Sequence, residues 1–150
     1  MTLPGGPLAK ASWGGTAVVA LVAAAGLIDI DAFAPMVVWA SVLLFVAGCV
    51  LFFVAYAIAV GRSRTDAIGI GGLFFLAGSA PAPVRRSFMA SLAVQCFVAV
   101  VVIVLSPFTS LVMTSMVPMY GIGCAGVWGA RHGEFGPRHA TATPEDHDPS

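Results

Sequence analysis

Residues 36–60 read MVVWASVLLFVAGCVLFFVAYAIAV and contain no charged side chain. A bilayer core about 30 Å thick is crossed by roughly 20 apolar residues of helix, so this run is long enough to span a membrane. The surrounding chain fits that reading. Of its 150 residues, 59% are hydrophobic and 9% are charged, far below the roughly 25% charge of an average soluble domain. The formal net charge is zero, which gives no basic field to attract nucleic acid.

Two further spans follow. Residues 88–106 are apolar except for the amide of Gln95, and they carry a run of β-branched residues. In lipid every backbone polar group has to be satisfied within the segment, which favours helix over an open strand despite that branching. Residues 108–130 form the next span, with Pro118 and several glycines, which membrane helices tolerate. On the N-terminal side, residues 13–34 are apolar and alanine-rich up to Asp29 and Asp31, with Pro35 following. A rival reading takes Ala32-Phe33-Ala34 as a signal-peptidase site. A proline directly after it should obstruct cleavage, and Lys10 is the lone charge preceding the apolar run. The expectation is an all-α, four-helix polytopic domain over residues 1–132 and a disordered, polar tail over 133–150.

Charge sets the orientation. With four spans, Lys10, Arg62, Arg64, Arg85, Arg86, Arg131 and Arg138 all fall on one side. The other side holds Asp29, Asp31 and the short SPFTS turn. By the positive-inside rule both termini and the central loop are cytoplasmic and the protein resides in the plasma membrane. A three-span arrangement would scatter the same charges over both sides.

Few residues can carry chemistry. Cys49, Cys96 and Cys124 lie in separate apolar blocks with no ligand spacing, and His132, His139 and His147 do not repeat at metal-ligand spacing, so no metal or other cofactor is expected. Ionisable groups within a span are functional candidates, which directs attention to Asp29 and Asp31. Both sit near the outer end of the first span, roughly 200° apart around a helix. An interfacial position, a partner contact and proton or cation coupling all stay open for them. Gln95 reads as an interhelical hydrogen-bonding group, with a substrate contact as the alternative. Gly121, Ala125 and Gly129 form a small-xxx-small stripe that lets helices approach closely, a candidate partner surface. Trp13 and Trp128 are expected as interfacial anchors.

The central loop, TDAIGIGGLFFLAGSAPAPV at residues 65–84, is too apolar to be solvated and too short to span. Packing on its own bundle, docking of Phe74 and Phe75 on another protein, and ligand binding are the three readings. Arg62, Arg64, Arg85 and Arg86 flank it and suit anionic lipid headgroups, at about 1 kcal/mol each.

The segments GRSR (61–64), GLFFLAGSAP (72–81), VRRSFMASLAVQ (84–95), SPFTSL (106–111) and VPMYGIGCAGVWGARHG (117–133) resemble a family of small integral membrane proteins of actinobacteria, most nearly the mycobacterial kind. More narrowly, they resemble the LucB-like accessory subunits of the mycobacterial Mce lipid importer. The resemblance covers about half the chain and supplies no catalytic motif. It implies a non-enzymatic accessory or assembly subunit, with membrane lipids and the permease subunits of a larger complex as partners. The alternative from the residues themselves is a small self-assembling transporter of the drug or cation exporter type, working through Asp29, Gln95 or both.

Overall fold

The computed structural model describes residues 6–137. The protein is an all-α bundle: α1 (Gly6–Ile28), α2 (Ile30–Arg62), a short α3 (Ile70–Phe74), α4 (Ala82–Leu105), a 3-10 stretch (Ser110–Met116) and α5 (Pro118–His132). Four segments are long and apolar enough to cross a membrane: α1, α2, α4 and the combined run Ser110–His132. This makes it a multi-pass membrane protein. The remainder of the tail, with Arg138, His139 and His147, lies outside the described residues.

The first boundary differs from the sequence expectation. The break between the first two spans falls at Asp29, not at Pro35, because Asp29 adopts an extended conformation and its side chain accepts the Ala32 N–H as the N-cap of α2. Capping satisfies an orphan N–H at the helix start. Pro35 is carried inside α2, where its missing N–H forfeits only the bond to the Asp31 carbonyl near an exposed end. Asp29 and Asp31 therefore sit at a helix N-terminus, whose dipole favours negative charge.

Pro118 shapes the fourth span in a comparable way. It opens α5 at the N1 position, where no N–H is needed. The chain before it winds as a seven-residue 3-10 helix, longer than is usual. Within that stretch the Thr114 hydroxyl donates to the Leu111 carbonyl at 2.7 Å.

Three apolar clusters stack along the bundle. Ala23, Val37, Val102 and Leu111 close the acidic end. Phe88, Cys124, Ala125 and Trp128 form another. Ala55, Ala59, Leu73, Phe74, Val127 and Ala130 close the basic end. Helix α5 runs through the middle, with Gly123 to Ala130 buried throughout. Its main neighbour is α2, and the two cross at glycines. A Cβ on Gly48 would lie 2.6 Å from the Met119 carbonyl carbon and the Tyr120 nitrogen, and one on Gly123 would lie 2.6 Å from the Gly48 oxygen.

The small-residue stripe is corrected by this packing. Gly121, Ala125 and Gly129 face their own bundle, not a partner. A Cβ on Gly121 would meet the Gln95 side chain, and one on Gly129 would collide with the Leu73 carbonyl. Trp128 is likewise no surface anchor. It is buried beside Phe88 and stacks on the His132 ring at 5.5 Å. Trp13 is exposed and donates to Ser87.

All three cysteines are free thiols, with Cys124 buried and Cys96 exposed. Replacing all three by Ala should leave membrane abundance intact and lower stability by about 1 kcal/mol, mostly through Cys124. Thermal unfolding in detergent measures it, and loss of folding would indicate a role beyond packing.

Candidate functional site

Two constructions hold most of the buried polar side chains of the bundle. The first is a seam between α1 and α4. Ser12, Thr16, Ser91 and Gln95 are all buried, and they lie at i, i+4 on each helix, so each pair shares one face. Their protons can be assigned by counting donors. Thr16 donates its hydroxyl to the Ser12 carbonyl at 2.9 Å, so its oxygen must accept from its other neighbours. These are the Ser91 hydroxyl at 2.8 Å and the Gln95 amide nitrogen at 2.8 Å. Ser12 then donates to Ser91 at 2.8 Å.

That chain fixes the Gln95 amide with its oxygen turned toward α5, where Oε1 has no hydrogen-bond donor. A Cβ at residue 121 would sit 2.7 Å from it. A larger residue there would press on the amide and force it to shift. Gln95 is thus an interhelical tie, as the sequence indicated. The hydroxyls it ties to were missed, although the Ser12/Thr16 and Ser91/Gln95 spacing was a legible signal. Thr16→Val should destabilise the bundle by roughly 1–2 kcal/mol, because it disconnects several membrane hydrogen bonds together. Adding Gln95→Met should cost less than the sum of the single changes, since both act on one network. Denaturant titration of the purified variants checks this, and strict additivity would count against a connected seam.

Asp29 takes no part in the seam. It is exposed at the α1–α2 junction, and Thr16, the partner of Gln95, lies 13 residues earlier, about 20 Å along α1. Asp29 and Gln95 are therefore not brought together. Asp31 is also exposed.

The second construction is at the basic end, where the loop between α2 and α4 folds onto the bundle. Leu73, Phe74 and Leu76 point inward and are buried, and Phe74 stacks on Phe52 with centroids 4.5 Å apart. Leu76 holds a left-handed backbone (φ 54°), which costs a non-glycine residue about 1–2 kcal/mol. Full burial of its side chain offsets that. The expected pairing of Phe74 and Phe75 as one docking surface is split: Phe74 is core, whereas Phe75 is 46% exposed and Ile70 is 76% exposed. A groove of about 330 Å³ opens between this loop and the flank of α2, lined by Phe52, Tyr56, Val60, Ile68, Ile70 and Phe74 among others.

Arg62 clasps the platform. Its guanidinium pairs with Asp66 at 2.8 Å, donates to the Ala130 carbonyl at 2.9 Å and the Gly133 carbonyl at 3.2 Å, and lies over the Phe135 ring. The last carbonyls of α5 lack helical partners, so a cation is favoured there. Arg62 is accordingly not free for lipid headgroups, which corrects that expectation. Arg64, Arg85 and Arg86 are exposed. Residues 133–137 are not the start of a loose tail either. The Glu134 N–H donates to the Ser79 carbonyl at 2.9 Å, and the Ala67 N–H donates to the Gly136 carbonyl at 2.9 Å. No sequence signal announced this return, because it depends on single backbone bonds and one aromatic ring.

Comparison with protein-family models, with curated proteins and with solved structures finds no match in any of the three.

Proposed function

We propose that the protein is a non-enzymatic accessory or assembly subunit of a larger membrane complex. In this reading it resides in the plasma membrane with both termini and the α2–α4 loop in the cytoplasm. The observation that carries the proposal is the platform at the basic end. Ile70 and Phe75 are held outward by a loop whose neighbouring residues Leu73, Phe74 and Leu76 are buried and whose base is clasped by Arg62. An ordered apolar projection loses little entropy on docking, which favours a protein contact. The interior supports the same reading: its seam is neutral and its hydroxyls bond one another and the Gln95 amide nitrogen, and Asp29 and Gln95 do not form a joined coupling pair. Resemblance to accessory subunits of the mycobacterial Mce lipid importer makes a lipid transporter the first complex to test.

The test is purification of the full chain from its native membrane under mild solubilisation, with identification of the subunits that accompany it. Ile70→Ser combined with Phe75→Ser should leave membrane abundance unchanged and reduce the accompanying subunits at least tenfold, about 1.4 kcal/mol of contact energy. Phe74→Ser should instead lower abundance, because Phe74 is core. Wild-type recovery of partners by the double variant would remove the loop as an attachment site.

A further inference from the structure

A second cavity lies on the other side of the loop. It measures about 470 Å³ and is lined by Gly78 and Ala80 of the turn and by Ala82, Arg85, Arg86 and Met89 of α4. Its size is that of a small-molecule site. The four α4 residues stand at i, i+3, i+4 and i+7 and so share one broad face of the first turns, and both arginines line the cavity. Unlike that of Arg62, the side chain of neither Arg85 nor Arg86 makes an ion pair, hydrogen bond or ring contact with any described residue. Glu134, whose N–H bonds the Ser79 carbonyl beside this turn, forms no ion pair with them.

The facing wall is fixed. Gly78 takes a left-handed conformation (φ 74°), and the Ser79 hydroxyl is tied back to the Gly72 carbonyl. The helix start itself contributes little to binding an anion. The Val84 and Arg85 N–H groups already donate to the Pro81 carbonyl, and Pro83 has none. The charge in the cavity comes from the side chains.

We propose that Arg85 and Arg86, facing the Gly78–Ala80 turn, form a binding site for a phosphate ester of net negative charge. Guanidinium forks match the geometry and charge of a phosphate group. Met89 and Ala82 supply an apolar surface for the alcohol portion of the ester. Helix α4 is a membrane-spanning candidate, so a phospholipid could place its headgroup here and its chains along the helix. A soluble phosphate ester satisfies the same chemistry. This site stands independently of the accessory-subunit reading.

The test uses the full chain in detergent and native mass spectrometry. One arm adds short-chain phosphatidylglycerol, a second adds phosphatidylcholine as the zwitterionic control, and a third adds glycerol 3-phosphate. Wild type should retain one phosphatidylglycerol in preference to phosphatidylcholine. Arg85→Gln with Arg86→Gln should weaken retention about tenfold or more, while Arg64→Gln should not. Ala82→Glu provides a second probe, placing a carboxylate in the cavity on the same helix face as both arginines, and it should block binding equally. Binding of glycerol 3-phosphate, lost in the same variants, would uphold the site with a soluble source. Undiminished phosphatidylglycerol retention in both the double variant and Ala82→Glu would overturn the proposal, as would equal retention of the two lipids or no binding in any arm.

Discussion

Gly48→Leu and Gly129→Leu are each expected to remove most of the protein from the membrane fraction. At Gly48 the new side chain would start 2.6 Å from the backbone of Met119 and Tyr120, and at Gly129 it would start against the Leu73 carbonyl. Overpacking commonly costs about 1–3 kcal/mol, and these sites belong at or above the top of that range because backbone cannot rotate aside as a side chain can. Between helices in lipid, close packing is itself the main attraction, so Gly48→Leu forfeits the α2–α5 contact, the bundle's largest, and Gly129→Leu drives the Leu73–Leu76 loop off α5. Gly14→Leu and Gly61→Leu serve as controls, since a Cβ at either meets nothing within 4 Å. Membrane abundance and thermal unfolding in detergent are the readouts. Normal abundance of Gly129→Leu would mean that the stripe faces outward after all.

Arg62→Gln should open the basic end without unfolding the spans. The guanidinium reaches Asp66, the Ala130 and Gly133 carbonyls and the Phe135 ring, so one substitution releases the loop, the end of α5 and residues 133–137 together. Hydrogen bonds to charged groups contribute about 1.5–3 kcal/mol. The side chain is about one-third exposed, so solvent screening places the expected loss near the lower figure. Local opening by about 1.4 kcal/mol raises the exposed population tenfold. Trypsin should therefore cut after Arg64 about tenfold faster, with the spans still protected. Arg62→Lys should rescue little, because an ammonium on a flexible stem does not reproduce a planar fork reaching several acceptors. Cleavage at the wild-type rate in Arg62→Gln would show that the clasp contributes nothing to order at this end.

The spans were legible because their signal is long and additive. An uncharged run such as 36–60 has one reading, and the clustering of basic residues requires four crossings rather than three. What failed to show depends on single interactions. Asp29 against Pro35 as the helix break turned on one capping bond. The direction of the glycine stripe turned on which face of α5 met α4 and the loop, and a small-residue pattern looks the same whether it meets its own bundle or a neighbour. Arg62 and Arg64 are two residues apart with the same side chain, yet one is a clasp and the other is exposed, because only Arg62 points at the open carbonyls of α5. The polar seam was half visible: Gln95 stood out as an intramembrane amide, while Ser12, Thr16 and Ser91 passed as small residues until the structure placed them opposite it.

Every proposal made for the basic end presupposes one arrangement of the chain across the membrane, and that arrangement is directly measurable. Topology reporters fused after Asp31 and after Thr109 should register outside the cell, and those fused after Arg64 and Arg138 should register inside. An internal signal after Asp31 would contradict the four-span arrangement and with it the placement of the loop and its arginines in the cytoplasm.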